Sequence, residues 1–401
     1  MRSPVTLNGE PHVQLRTPKS LMFSASLVLA AVLLAGCAVA GQAPVPSDGQ
    51  SVPPLAAPAL REKIGIAAGN TTLFHPDDAV RRRALKAIAD TGARWVTMDM
   101  DWNAVNGAAP HDLRWGPTDL FVREAREVGL SVLAVTAYTP AWARPANCPP
   151  NETHCLPASV ETYATFMRLA AQRYGSLSAI PDLRNSITTW QVWNEPNHFP
   201  FVQPVVDVPK YTAMLKRTYV EVKKVDPTAT VIAGGTAPAP DNPNGRDMKP
   251  VTFLRNIYAN GGQGFFDAFG HHPYSFPCSP LVNAEWNAFT QTRYLHQIMT
   301  QNGDGAKKVW GTESGAPTGS NVGPCTDGPN VSVSEATQAQ FVADYIKGWT
   351  QDFGKFTGPL IWFQIRDDGL NRAAWDNNLG LLRHDFSAKP AWHKFRQLLA
   401  G

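Results

Sequence analysis

Ile187-Thr188-Thr189-Trp190-Gln191-Val192-Trp193-Asn194-Glu195-Pro196-Asn197 sets a carboxylate where a buried strand meets a loop. The run up to Val192 is β-branched and aromatic, the composition of a buried strand. Pro196 removes a ladder donor and biases Glu195 toward extended backbone, so the strand is expected to stop at the glutamate. A glutamate in such a place is ordinarily a solvated loop acid. Here two tryptophans, two asparagines and a proline crowd it, and that surrounding marks Glu195 as a candidate site residue.

Outward from this strand, the chain from about residue 61 alternates short apolar runs with helical patterns, the signature of βα units around a parallel sheet. Strands are expected at 63–68, 94–100, 131–137, 187–193, 230–233, 268–272, 308–312 and 359–364. Tyr211, Met214, Leu215, Tyr219 and Val222 recur at the spacing of one helix face. Ser332 and Glu335 are spaced as a capping box opening the seventh helix, and residues 391–399 read as the eighth. Eight units predict a single (β/α)8 TIM barrel with its chemistry at the carboxyl ends of the strands. A doubly wound sheet is the alternative, but the run Gly65 to Asn70 lacks GxGxxG spacing and no GxxxxGK[ST] occurs, so a nucleotide site has no support.

The expected strand ends hold other groups that could converge. Strand seven closes as Trp310-Gly311-Thr312-Glu313-Ser314-Gly315, a second glutamate at a strand terminus. Strand six closes as His271-His272-Pro273-Tyr274. Adjacent histidines in a strand point to opposite faces, which argues against a shared metal, and neither a metal nor a cofactor is expected. Trp102, Trp142 and Trp375 fall in loops at the same face, and the first two could offer flat aromatic surfaces to a ligand, although they also suit core packing.

"WNEPN" around Glu195 and "WGTESG" around Glu313 resemble the acid/base and nucleophile strands of the clan A glycoside hydrolases. Together with Thr139-Pro140-Ala141-Trp142 after strand three and Arg366-Asp367-Asp368-Gly369 after strand eight, the pattern looks most like family 39 and its relatives. The resemblance implies a retaining O-glycosyl hydrolase, with Glu195 as acid/base and Glu313 as nucleophile. It implies that Tyr274 in His272-x-Tyr274 orients the nucleophile and holds it as an anion, that Asn194 bonds the sugar 2-hydroxyl, and that Trp362 lies under the reactive sugar. Strict strand parity sends Asn194 and Glu195 to opposite faces, so the resemblance also requires a distorted strand end. Two carboxylates about 5–5.5 Å apart are what hydrolysis with retention needs. The sugar and linkage are not legible, because loops select them.

The remaining features set compartment and partners. Arg16 and Lys19 precede an apolar run at 21–34 that ends in Leu34-Ala35-Gly36-Cys37. This resembles a bacterial lipoprotein signal: residues 1–36 as signal peptide, Cys37 lipidated, 37–60 a flexible Ala/Pro-rich tether and 61–401 the barrel. Export to the cell surface, anchored to the membrane or secreted, makes disulfides the expected state of the other cysteines. Four cysteines allow three pairings; Cys148 and Cys155 flank a short loop and form the natural local pair, leaving Cys278 with Cys325. No CxxC spacing supports zinc.

The 401 residues are 43% hydrophobic and 17% charged, as in a well-cored globular protein. A net charge of +3 with scattered basic residues gives nucleic acid no track to bind, so the expected partners are an oligo- or polysaccharide and the membrane. An esterase lacks its GxSxG elbow. A barrel that binds glycans without cleaving them is the remaining alternative.

Overall fold

The computed structural model describes residues 55–73, 75–325 and 331–400. The expected signal peptide and Cys37 lie outside them, as does most of the tether. Eight strands, β1 (Ile64–Ala67), β2 (Trp95–Asp101), β3 (Ser131–Ala137), β4 (Ile187–Val192), β5 (Thr230–Thr236), β6 (Ala268–His271), β7 (Lys308–Gly311) and β8 (Thr357–Trp362), pair in sequence order and close through β8 against β1. Every pairing is parallel, so the fold is the TIM barrel read from the sequence.

Side-chain alternation sorts each strand into an inner and an outer set. On β3, Leu133 and Val135 join Ile232 and Ala268 in a small inner cluster with Trp95 and Trp310 packed against it. Val132 and Ala134 point outward into the large core shared with the helices. The indoles of Trp95 and Trp310 meet edge to face at 5.3 Å toward the amino-terminal end of the barrel.

The helix Val208–Val225 shows how the outer layer braces the strands. Asp207 caps it by accepting from the Lys210 amide, and Tyr211, Met214, Leu215 and Val222 are buried. Each such apolar side chain contributes about 1.5–3 kcal/mol of burial. The Tyr211 hydroxyl donates to the Val192 carbonyl at 2.9 Å and accepts from the Gly234 amide at 2.7 Å, tying the ends of β4 and β5 to one helical residue.

Two expectations need correction. The helix Glu335–Lys347 is capped by Ser334, which accepts from the Thr337 amide, and not by Ser332. Ser332 is buried because its backbone pairs with Asn321 and Gly323, which holds it out of the helix start. The folded part also begins before residue 61: the helix Ala57–Arg61 buries Leu60, and Arg61 Nε donates to the Leu399 carbonyl at 2.8 Å.

Both expected disulfides form, Cys148 with Cys155 and Cys278 with Cys325. The second joins the loops after β6 and β7. Among the described residues, no helix is long and apolar enough to cross a membrane.

Candidate active site

The end of β4 carries the first glutamate, and its backbone departs from the extended form expected beside Pro196. Trp193 has φ of 70° and Glu195 φ of 45°, both left-handed and uncommon for residues with a side chain. The surroundings hold this shape. Gln191 Nε2 donates to the Trp193 carbonyl at 3.0 Å, and the Glu195 amide donates to the Gly235 carbonyl at 3.0 Å. Gly235 has φ of 86°, and a Cβ there would sit 2.2 Å from Gln191 Nε2, so only glycine lets the two strands approach this closely.

Asn197, fully buried, closes the turn: its amide nitrogen donates to the carbonyls of Ala237 and Met248, both at 2.8 Å, and its oxygen accepts from the Ala237 amide at 2.8 Å. Reversed twice, the chain can turn both Asn194 and Glu195 toward the cleft, which resolves the parity conflict. Asn194 donates to the Tyr138 hydroxyl, and its Oδ1 is buried without a partner among the described residues.

The second glutamate follows β7. Tyr274 donates to Glu313 Oε2 at 2.9 Å, and His272 donates from Nδ1 to Glu195 Oε1 at 2.9 Å, with Glu313 Oε2 only 3.6 Å from the same nitrogen. The donor atoms of Glu195, His272 and Glu313 all lie within 4.8 Å of one another. Neighbouring His271 faces the other way, bonded to Thr236 and to the Ala288 carbonyl, and burial pushes its pKa down to about 4. The two histidines therefore do not share a ligand, as strand parity implied.

Burial pushes the Glu313 carboxyl above the usual carboxylate range, and the charge of Glu195 adds to that; His272 and the Tyr274 hydrogen bond pull it back. The expectation that Tyr274 alone keeps Glu313 low is corrected: in this dry site desolvation outweighs one hydrogen bond. His272 is raised: burial, which lowers it, is outweighed by Glu313 and Glu195, with Asp99 adding to them. The two carboxyls and the imidazole between them form one hydrogen-bonded cluster. A metal at the same three donors would need the neutral ring and would displace the bond to Glu195.

Two tryptophans and their neighbours are placed differently from expectation. Trp362, 1% exposed, turns outward with Leu360 and packs edge to face on Tyr345 and Phe395, so it does not lie under a sugar. The next residue, Phe363, lines the cleft beside Glu313. Trp102 is fully buried, stacked on Phe166 and edge-on to Tyr163, and offers no face to a ligand. Trp142 is half-buried, with its indole nitrogen donating to the Asn106 carbonyl and its ring set perpendicular to Trp102, a packing position.

A run of half-buried aromatics lies elsewhere: Tyr274, bonded to Glu313, is followed by Phe276 and Trp375 at centroid distances of 5.7 and 5.6 Å. The sequence signal for Phe363 was available in strand parity, since Trp362 and Phe363 must face opposite ways. Trp375 carried a different signal, its place in a loop at the carboxyl face, which it shared with Trp102 and Trp142.

No protein-family model matches the sequence, and no curated protein is similar to it. Solved structures resemble the fold. A family 39 glycoside hydrolase from the gut symbiont Bacteroides cellulosilyticus WH2 superposes with a TM-score of 0.65 at 24% identity, over 87% of this chain and 65% of that one. A monomeric beta-xylosidase from Caulobacter crescentus CB15 gives 0.62 at 14% identity, over 88% and 70%. A GH5_18 protein from Bifidobacterium longum subsp. infantis gives 0.58 at 14% identity, over 84% and 78%. This chain thus spans about two thirds of the first neighbour's length, and at these identities the likeness establishes the (β/α)8 fold.

Proposed function

We propose that this protein is a retaining glycosidase that hydrolyses O-glycosidic bonds by double displacement. The observation that carries the reading is the pair Glu195 and Glu313 at the ends of neighbouring parts of one barrel mouth, with oxygens within 4.8 Å, each held by its own donor on β6 or just after it. That closeness supports a nucleophile and an acid acting on one anomeric carbon, over the wider separation that inversion with its intervening water requires.

In the first step Glu313 attacks the anomeric carbon while Glu195 gives its proton to the leaving oxygen, so the glycosidic bond breaks as an ester to Glu313 forms. In the second, Glu195 takes a proton from water, whose oxygen displaces Glu313 and regenerates both carboxyls. Tyr274 donates to the attacking carboxylate, and Asn194 Oδ1, buried and unpartnered, can accept a hydroxyl of the bound sugar. The structural neighbours include proteins described as a family 39 glycoside hydrolase and a beta-xylosidase, which supports the same chemistry. The test is hydrolysis of a panel of aryl glycosides and polysaccharides, with product configuration followed by NMR; turnover with inversion, or binding without any turnover, sinks the proposal.

The N-terminal pattern supports an exported enzyme anchored through Cys37, working on a glycan of the envelope or its surroundings. Cys37→Ala should release the protein from the membrane fraction; unchanged fractionation rules the anchor out.

A further inference from the structure

The double displacement uses Glu195 and Glu313 and leaves another carboxyl in the cleft without a role. On β2 alternate residues face the barrel interior: Trp95 at the bottom against Trp310, Thr97 above it, and Asp99 above that. Asp99 lines the same cavity as Thr97, Thr312, Glu313, Phe363 and Gly69.

The next inward position on β2, Asp101, is used structurally, accepting from the Ala104 amide to cap the helix Trp102–Asn106. Asp99 has no such bond among the described residues, and the hydroxyl of Thr312, 1% exposed and lining the cavity beside it, is unpartnered too. Both groups stand open to a ligand in the cleft, Asp99 as a half-buried acceptor and Thr312 as a buried hydroxyl. The ionisable groups acting on Asp99 are Glu313 on the β7 side, Asp101 on its own strand, His272 after β6 and Tyr138 after β3. Burial first, then Glu313 and Asp101, push its pKa up to about 7. Among the described residues, no lysine or arginine lines this cavity.

We propose that Asp99 is a specificity-determining residue, accepting hydroxyls of the sugar held over Glu313 and thereby selecting a neutral, hydroxyl-rich glycone over one that carries a carboxylate. The inference rests on the glycosidase reading and narrows its substrate class. An ionised carboxylate offers lone pairs to two hydroxyls at once, as a vicinal diol presents them. A uronate in the same place would bring a further negative charge beside the carboxyls of Asp99 and Glu313, a repulsive element of the kind that sets specificity.

The full chain and its Asp99→Asn and Asp99→Ser variants are titrated at pH 8 by saturation-transfer NMR. The probes are methyl glycosides of xylose, glucose, galactose, mannose and arabinose, set against those of glucuronate and galacturonate. The parent should bind its best neutral glycoside at least about tenfold tighter than its best uronide, and both variants should bring that preference within about threefold. Equal or tighter binding of a uronide by the parent, an unchanged preference in folded variants, or no binding of any glycoside overturns the inference. Aryl glycoside turnover is measured in parallel. Turnover without an Asp99-dependent preference removes this inference alone, whereas the preference without turnover removes the glycosidase reading alone.

Discussion

The ends of β4 and β7 each deliver a glutamate to the same cleft, and they are held there by different means. The β4 end is fixed mainly through backbone: two left-handed residues, Gln191 bracing the Trp193 carbonyl, and buried Asn197 bonded to the backbone of Ala237 and Met248. The β7 side is fixed from outside, through Tyr274 on the preceding strand's loop and a disulfide between the loops after β6 and β7. His272 sits between, bonded to Glu195 and in reach of Glu313. The contrast suits the proposed roles. A nucleophile needs its charge tuned by neighbours, whereas a proton carrier needs its carboxyl kept at one distance from the leaving oxygen through both steps.

The largest expected effect separates the two glutamates. Glu313→Ala should lower kcat at least about 10⁴-fold on every glycoside, roughly 5.5 kcal/mol of barrier, because no ester can form. A residual rate within tenfold of the parent would make the two strand ends interchangeable.

Glu195→Ala should be milder and substrate-dependent. With a poor leaving group the loss is about 10²–10⁴-fold. An activated aryl leaving group should leave the first step nearly intact and slow the second, and added azide should restore turnover with retained configuration at the new bond. Azide rescue confined to the Glu313 variant, with inverted product and a parent-like Glu195 variant, would strip Glu195 of its role.

The external staple comes next. Replacing Cys278 and Cys325 together with serine should cost about 2–5 kcal/mol of stability. Denaturant unfolding of the two forms measures this, and equal stability would mean that the β7 side is held without its disulfide. The internal clamp should matter less for the whole fold: Asn197→Ala strands buried backbone partners at a cost of about 1–3 kcal/mol. Its signature is a fall in kcat larger than any change in KM, since it frees the Glu195 turn. A variant with unchanged kinetics would detach that clamp from catalysis.

The smallest effect tests how Glu313 is tuned. Attack needs the ionised form, so the rate falls as pH drops through the Glu313 pKa, which lies above its ordinary value. Tyr274 donates to the ionised form and lowers that pKa. Tyr274→Phe should therefore move the acidic limb of kcat/KM to higher pH and reduce the plateau about tenfold. A shift to lower pH would mean that the hydroxyl serves something other than the carboxylate.

Several of these features could be read before folding was considered. β-branched and aromatic runs at regular intervals pointed to eight parallel strands buried on both faces, and the short loop between Cys148 and Cys155 made one of three pairings the natural one. The two glutamates, His272 and Tyr274 follow from their places at strand termini, since a barrel brings all such termini to one rim. What the sequence left open was decided by side-chain direction and by long-range contacts. Trp362 and Phe363 are adjacent in the chain, but only the register of β8 in the closed barrel turns the first to the helices and the second to the cleft. Trp102 reads as a loop aromatic until Phe166 and Tyr163 arrive from a helix some sixty residues on and bury it. The left-handed turn at Glu195 runs against the local preference of a residue before proline, and it persists because the Gly235 carbonyl holds the Glu195 amide and Asn197 ties the chain just after it to Ala237 and Met248. Asp99 alternates in β2 like any inward residue, and only closure of the barrel sets its unpaired carboxyl beside Glu313, because burial and neighbouring charge are properties of the assembled mouth and not of any one strand.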